Sequence, residues 1–205
     1  MEKYIEKFIK ENTENNHRLL SSQGYLVPII SVLAKSKNHQ EGDKLHVASM
    51  DIPTVFLESK ERKEVLVEKV IPAMMDKVAE GDEDHKDILG ICFTSEIWMR
   101  IGDVKKMKDF SKESILELPK QECIMNSYEF ADGLVHMEVY YIHREGKMAN
   151  EKGELIDCIR LEKSDKFDDI NKQENDPEKK KTPVDTGGIF ADMLKNYLES
   201  KKEKV

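Results

Sequence analysis

Three side chains carry the ingredients of acid–base chemistry: Glu96, late in the apolar run Ile88 to Ile101, and His136 and Glu138, two residues apart in a second apolar run. Two carboxylates and an imidazole gathered on one surface can hold a cation or pass a proton. Trp98, the only tryptophan, and Arg100 follow Glu96 at strand spacing, so a carboxylate, an indole and a guanidinium share one parity. These two are candidates for recognition rather than chemistry.

Strand alternation sets Leu89, Ile91, Phe93, Ser95, Ile97, Met99 and Ile101 on a core face and Gly90, Cys92, Thr94, Glu96, Trp98 and Arg100 on the other. His136, Glu138, Tyr140 and Arg144 share a parity in one neighbouring segment, as do Glu122, Asn126 and Tyr128 in another. Coincidence of those faces would bring Glu96, His136 and Glu138 together. No motif spacing demands it, and the simpler reading is a solvated or helix-covered sheet face with cross-strand charge pairs.

Other chemistries lack their signatures. The six histidines and three cysteines show no His-x-x-x-His, Cys-x-x-Cys or mixed cluster, so no metal site is expected. No Gly-x-x-x-x-Gly-Lys-Ser/Thr loop, Gly-x-Gly-x-x-Gly turn or Gly-x-Ser-x-Gly elbow occurs, and no cofactor is expected. Asp185-Thr186-Gly187 copies the aspartic-protease tripeptide but sits between a Lys-Pro linker and a helix, where Thr186 reads more simply as a cap. Cys92, Cys123 and Cys158 each lie in an apolar segment and read as reduced core thiols.

The elements that must position these residues follow from periodicity. Residues 2 to 20 read as a helix that blurs through Asn12 to Asn16. Tyr25 to Ala34 and Leu45 to Ile52 read as a hairpin, with Pro28 at an edge or a strand start. Ser59 to Glu80 has an amphipathic helical stripe that Pro72 should kink or restart. After the acidic turn Gly81 to Asp84 come four strands, Ile88 to Ile101, Gln121 to Phe130, Leu134 to His143 and Leu155 to Glu162, with Ala131-Asp132-Gly133 a strong hairpin turn and Arg144 to Gly153 a further reversal. The connection from Gly102 to Pro119 is too long for a hairpin, and Ser111 to Leu118 suits a helical turn.

The expected class is α+β: an antiparallel sheet of five to six strands, built as hairpin, helix and four-stranded meander, with flanking N- and C-terminal helices. Residues 1–163 form the single domain, 164–188 a flexible polar linker, and 189–205 an amphipathic helix striped with Ile189, Phe190, Met193, Leu194, Tyr197 and Leu198. That stripe can dock on its own sheet, on a sister subunit or in a partner's groove.

Net charge is -8, from 33 Lys plus Arg against 41 Asp plus Glu, and few of the basic residues are Arg, which disfavours nucleic-acid binding. No apolar window reaches the length of a membrane span and the N-terminus has no signal-peptide core, which predicts a cytoplasmic protein, in a bacterium or its host.

Ser95-Glu96-Ile97-Trp98-Met99, followed by Pro119-Lys120-Gln121-Glu122 before the next strand, resembles a group of small uncharacterised bacterial and phage proteins whose strand ends Ser-Glu-Ala-Trp-Met. Here Ile97 stands in place of the Ala, and the likeness spans residues 25 to 162. It implies the strand order and a phage or bacterial origin, and brings no established activity with it. The element order is also similar to roadblock and profilin-like domains, which implies a dimerising or docking platform. Composition and resemblance lead to a non-enzymatic accessory protein that binds a protein partner or itself. Two alternatives stand beside it: an enzyme using Glu96 with His136 or Glu138, and an acidic mimic of nucleic acid that blocks a host factor.

Overall fold

The computed structural model describes residues 3–36, 45–80, 86–100, 116–149, 153–165 and 191–202. Six strands, β1 (Ile29–Ser36), β2 (His46–Asp51), β3 (Lys86–Arg100), β4 (Lys120–Phe130), β5 (Val135–Ala149) and β6 (Leu155–Lys163), form one antiparallel sheet in the order β2-β1-β3-β4-β5-β6. The hairpin, helical crossing and four-stranded meander expected from the sequence are all present, and the chain is an α+β protein. Pro28 directly precedes β1, where its missing N–H costs nothing and its carbonyl accepts from Ile52 at 2.7 Å. Gly133 takes φ +85° in the β4–β5 turn, and Asp132 Oδ1 accepts from the Leu134 N–H at 2.9 Å.

Helix α1 (Lys3–Gln23) lies on one face of the sheet. Its Ile5, Phe8 and Ile9 pack with Leu33, Cys92, Tyr128 and Phe130 near one end, and its Leu20 packs with Leu26, Ile124 and Ile142 near the other. The opposite face carries α3 (Ile71–Glu80), which α2 (Lys60–Val65) leads into, and α4 (Ala191–Lys202); Ile71 and Met75 of α3 and Leu194 and Tyr197 of α4 bury Ile30, Val32, Ile91 and Phe93. Between α2 and α3 the helix widens into a π turn over Leu66–Val70, and the Ile71 N–H donates to the Leu66 carbonyl. Pro72, with no N–H to donate one turn back, supplies the reason for the widened turn.

Two sequence expectations are corrected. Strand alternation puts Leu89 on the core face with Ile91, but Leu33 pairs with Gly90 and Ala34 with Ile88, so a β-bulge at Leu89 turns Ile88 into the α3 side and Leu89 toward α1. Strict alternation therefore holds only downstream of Gly90. Second, β5 runs on to Ala149, well past His143; residues 144–149 pair with β6 around an irregularity at Gly146, φ +88°, where a simple reversal was expected. The acidic turn at 81–84, most of the 102–119 connection, the 164–188 linker beyond Asp165, and Asp185 to Gly187 lie outside the described residues.

Candidate functional site

Registers across β3, β4 and β5 stack the candidate residues in rows on the α1 face: Cys92–Tyr128–His136, then Thr94–Asn126–Glu138, then Glu96–Ile124–Tyr140. The faces do coincide. What stands over them is α1. Its sheet-facing positions Ile5, Phe8, Ile9, Asn12, Thr13, Asn16 and Leu20 keep one helical stripe, in which Asn and Thr replace aliphatic residues through the middle turns.

Those replacements build a hydrogen-bonded seam. Asn12 Nδ2 donates to Tyr128 Oη at 3.0 Å and to Cys92 Sγ at 3.4 Å. Asn16 Nδ2 donates to Thr94 Oγ1 and to Asn126 Oδ1, both at 3.2 Å, and Thr94 Oγ1 donates to Asn126 Oδ1 at 2.9 Å. Thr13 Oγ1 donates to Glu138 Oε2 at 2.8 Å and accepts from Asn126 Nδ2 at 3.5 Å. Asn16, Thr94 and Asn126 are buried, and buried amides are tolerated in an apolar interior only when satisfied in this way.

Glu138 sits at the margin of the seam with three partners, Thr13 among them. Lys163 Nζ lies 3.2 Å and His136 Nε2 3.7 Å from its Oε1. Burial pushes its carboxyl up, but the contacts with His136, Thr13 and Lys163 together outweigh burial and hold it at about 2. Beside it, α1 and β5 border a cleft of about 370 Å³ lined by Glu6, Ile9, Lys10, Thr13, His136, Glu138 and Tyr140. Burial pushes the Cys92 thiol up to about 12 and the Tyr128 phenol above its ordinary value. Neither is activated as a nucleophile.

Glu96 does not join His136 and Glu138. Its Oε1 accepts the backbone N–H of Leu26, and burial raises its pKa, with Leu26 and Arg144 acting against that and Glu122 with it. It lies next to a clamp in which Arg144 grips Glu122 through Nε at 2.9 Å and Nη2 at 2.5 Å, and reaches Asp157 at 2.9 Å and the Gly24 carbonyl at 2.8 Å. One guanidinium thus ties β4, β5, β6 and the turn after α1. Arg100 donates to the Leu116 and Leu118 carbonyls, the latter at 2.8 Å, and is spent on joining the end of β3 to the entry of β4.

Trp98, across from Glu122, lies beyond α1 and is 67 % exposed. On α4, Leu194 and Tyr197 are buried and Met193 and Leu198 pack beside them; Tyr197 Oη donates to Asp76 Oδ1 at 2.7 Å, which Lys201 Nζ also approaches at 2.7 Å. The helix docks on its own body, while Ile189 and Phe190 lie outside the described residues. Cys92 and Cys123 are buried free thiols, but Cys158, expected in the core, is exposed on the edge strand β6.

Sequence reasoning passed over two groups. The Asn12–Asn16 segment looked like a defect in the helix because its residues are polar, though their spacing matches the flanking aliphatics. His17 stacks edge-on against Tyr140 with ring centroids 4.6 Å apart, and burial lowers its pKa; no neighbour in sequence marks it. Among the described residues no group of three or more His, Cys, Asp or Glu is placed to hold a metal ion, and no helix is long and apolar enough to cross a membrane. The chain matches no family model, no curated protein and no solved structure.

Proposed function

We propose that this chain acts by binding protein, as a non-catalytic accessory protein, through the end of the sheet where β3 stops and the β5–β6 ribbon projects. The observation that carries the reading is a concentration of exposed apolar side chains there: Tyr25 at 59 %, Trp98 at 67 %, Leu116 at 52 %, Met148 at 54 % and Leu155 at 69 %. Gly24 and Leu26 bind Arg144 and Glu96 at this end, Arg100 binds Leu116, and Met148 and Leu155 lie past the start of β4. Large hydrophobics gathered at one end, two of them aromatic, are what association surfaces use. Of the residues suited to chemistry, Glu138 has its carboxylate bonded to Thr13 and Lys163, and Glu96 accepts from the Leu26 N–H.

The cleft beside His136 supports a second reading, an enzyme in which a carboxylate-oriented imidazole acts as a general base. Against it, the carboxylate is shared with Thr13 and Lys163, and the nearest thiol and phenol are locked in the seam. Capture from cells of the source organism separates the two. Intact chain and His136→Ala should retain the same partner, and Trp98→Ala with Leu155→Asp should lose it; loss with His136→Ala at unchanged stability would overturn the proposal.

A further inference from the structure

We infer that a second copy of this chain adds to the free edge of β6, joining two sheets across a two-fold axis at Arg160. The inference rests on the reading that the chain works by association, and names one partner and one surface for it.

Among the described residues β6 ends the sheet, pairing with β5 alone, and Leu155, Cys158, Arg160, Glu162 and Lys163 along it are exposed. The Ser164 N–H donates to the Val139 carbonyl at 2.8 Å, so antiparallel alternation turns the main-chain groups of Glu162 and Arg160 toward β5 and those of Lys163, Leu161, Ile159 and Asp157 outward. An unpaired row of this kind is a template for another strand.

The side chains select the register. With Arg160 opposite Arg160, Asp157 of each copy faces Lys163 of the other, and Ile159 of each faces Leu161 of the other, all on the α1 side. This gives two apolar pairs flanked by two ion pairs, using outward main-chain groups to form about eight new hydrogen bonds. Sliding by two residues in either direction sets Asp157 against Leu161 or Ile159 against Lys163. On the other face the two Arg160 side chains meet at the axis, but each is already held by its own Glu145 at 2.7 Å and Glu162 at 3.3 Å, so four carboxylates surround two guanidinium groups. Asp157 and Lys163 keep their bonds to Arg144 and Glu138 while gaining each other.

Two measurements on the full chain test this. Solution mass, followed up to about 100 μM, should reach twice the 23.7 kDa of one chain. In a Cys158→Ser background, Arg160→Cys should cross-link to itself under mild oxidation at least ten times faster than Glu162→Cys, because a residue on the axis faces its own copy at disulfide distance and its neighbour does not. A mass that stays at one chain overturns the inference while leaving Trp98-dependent capture standing. A doubled mass with equal cross-linking of the two variants overturns this edge and this register. Loss of Trp98-dependent capture with selective Arg160→Cys cross-linking retained would instead defeat the proposed function and leave the edge pairing intact.

Discussion

Asn126 is the hub of the seam under α1, and replacing it by Leu tests whether polar contacts hold that helix on the sheet. Its side chain is fully buried, accepts from Thr94 at 2.9 Å and Asn16 at 3.2 Å, and donates to Thr13 at 3.5 Å. Leu is close in volume, so little cavity is created. The substitution removes two good hydrogen bonds and one long one, and strands a Thr94 hydroxyl and one Asn16 N–H away from water, at about 1 to 3 kcal/mol for each stranded donor. Leucine's greater apolar transfer energy returns about 1 to 2 kcal/mol. The net expectation is a loss of up to about 5 kcal/mol, centred on about 2 to 3, read as a lower urea midpoint at unchanged slope and a Tm lower by about 4 to 12 °C. A cycle with Asn16→Ala should show coupling above about 0.5 kcal/mol, as contacting residues do. If Asn126→Leu is as stable as the native chain, or more stable, the seam is not what fixes α1, and the assignment of these residues to structure fails.

Other consequences follow from named contacts. Glu138 is held at about 2 against its ordinary 4.5, so its contribution is fully present above that ordinary value and is lost as pH falls toward 2. With the exposure of Lys163 discounted, Glu138→Gln should remove about 1 to 2 kcal/mol at pH 7 and flatten the stability profile over that acid window, measured by denaturation at several pH values. Gly90→Ala should destabilise by at least about 2 kcal/mol, because a Cβ there would come within 2.5 Å of the Glu129 carbonyl oxygen across the ladder; a thermal melt within 2 °C of native would contradict the tight approach. Of the three thiols, Cys158 alone should react quickly with a disulfide reagent in the native state, since Cys92 and Cys123 are buried and burial pushes them up to about 12 and about 11; two or three fast equivalents would contradict the packing.

The element order was legible because each strand carries enough Val, Ile, Leu, Tyr and Phe, and each turn enough Gly, Asp or Pro, for local rules to agree. Parity on β3 was legible past Gly90 and put Glu96 and Trp98 on one face. It failed upstream because a bulge arises from pairing with β1, which Leu89 does not announce. The candidate cluster was half legible: His136 and Glu138 are neighbours on one strand, whereas Glu96 lies one row on and two strands away, and is drawn to Leu26 and the Arg144 clamp. What covered the face was hidden by chemistry. A hydrophobicity pattern counts Asn12, Thr13 and Asn16 as solvent-facing, although their spacing from Ile9 and Leu20 already placed them on the buried stripe.

The central claim is that this chain meets its partner through the exposed end of the sheet, with the polar face under α1 closed to chemistry. Trp98 is the only tryptophan, so indole emission excited beyond the tyrosine absorption band reports on that end of the chain. Emission should be that of a solvated indole in the free chain and shift to the blue when the captured partner binds. A complex in which Trp98 emission stays that of the free chain would contradict the account.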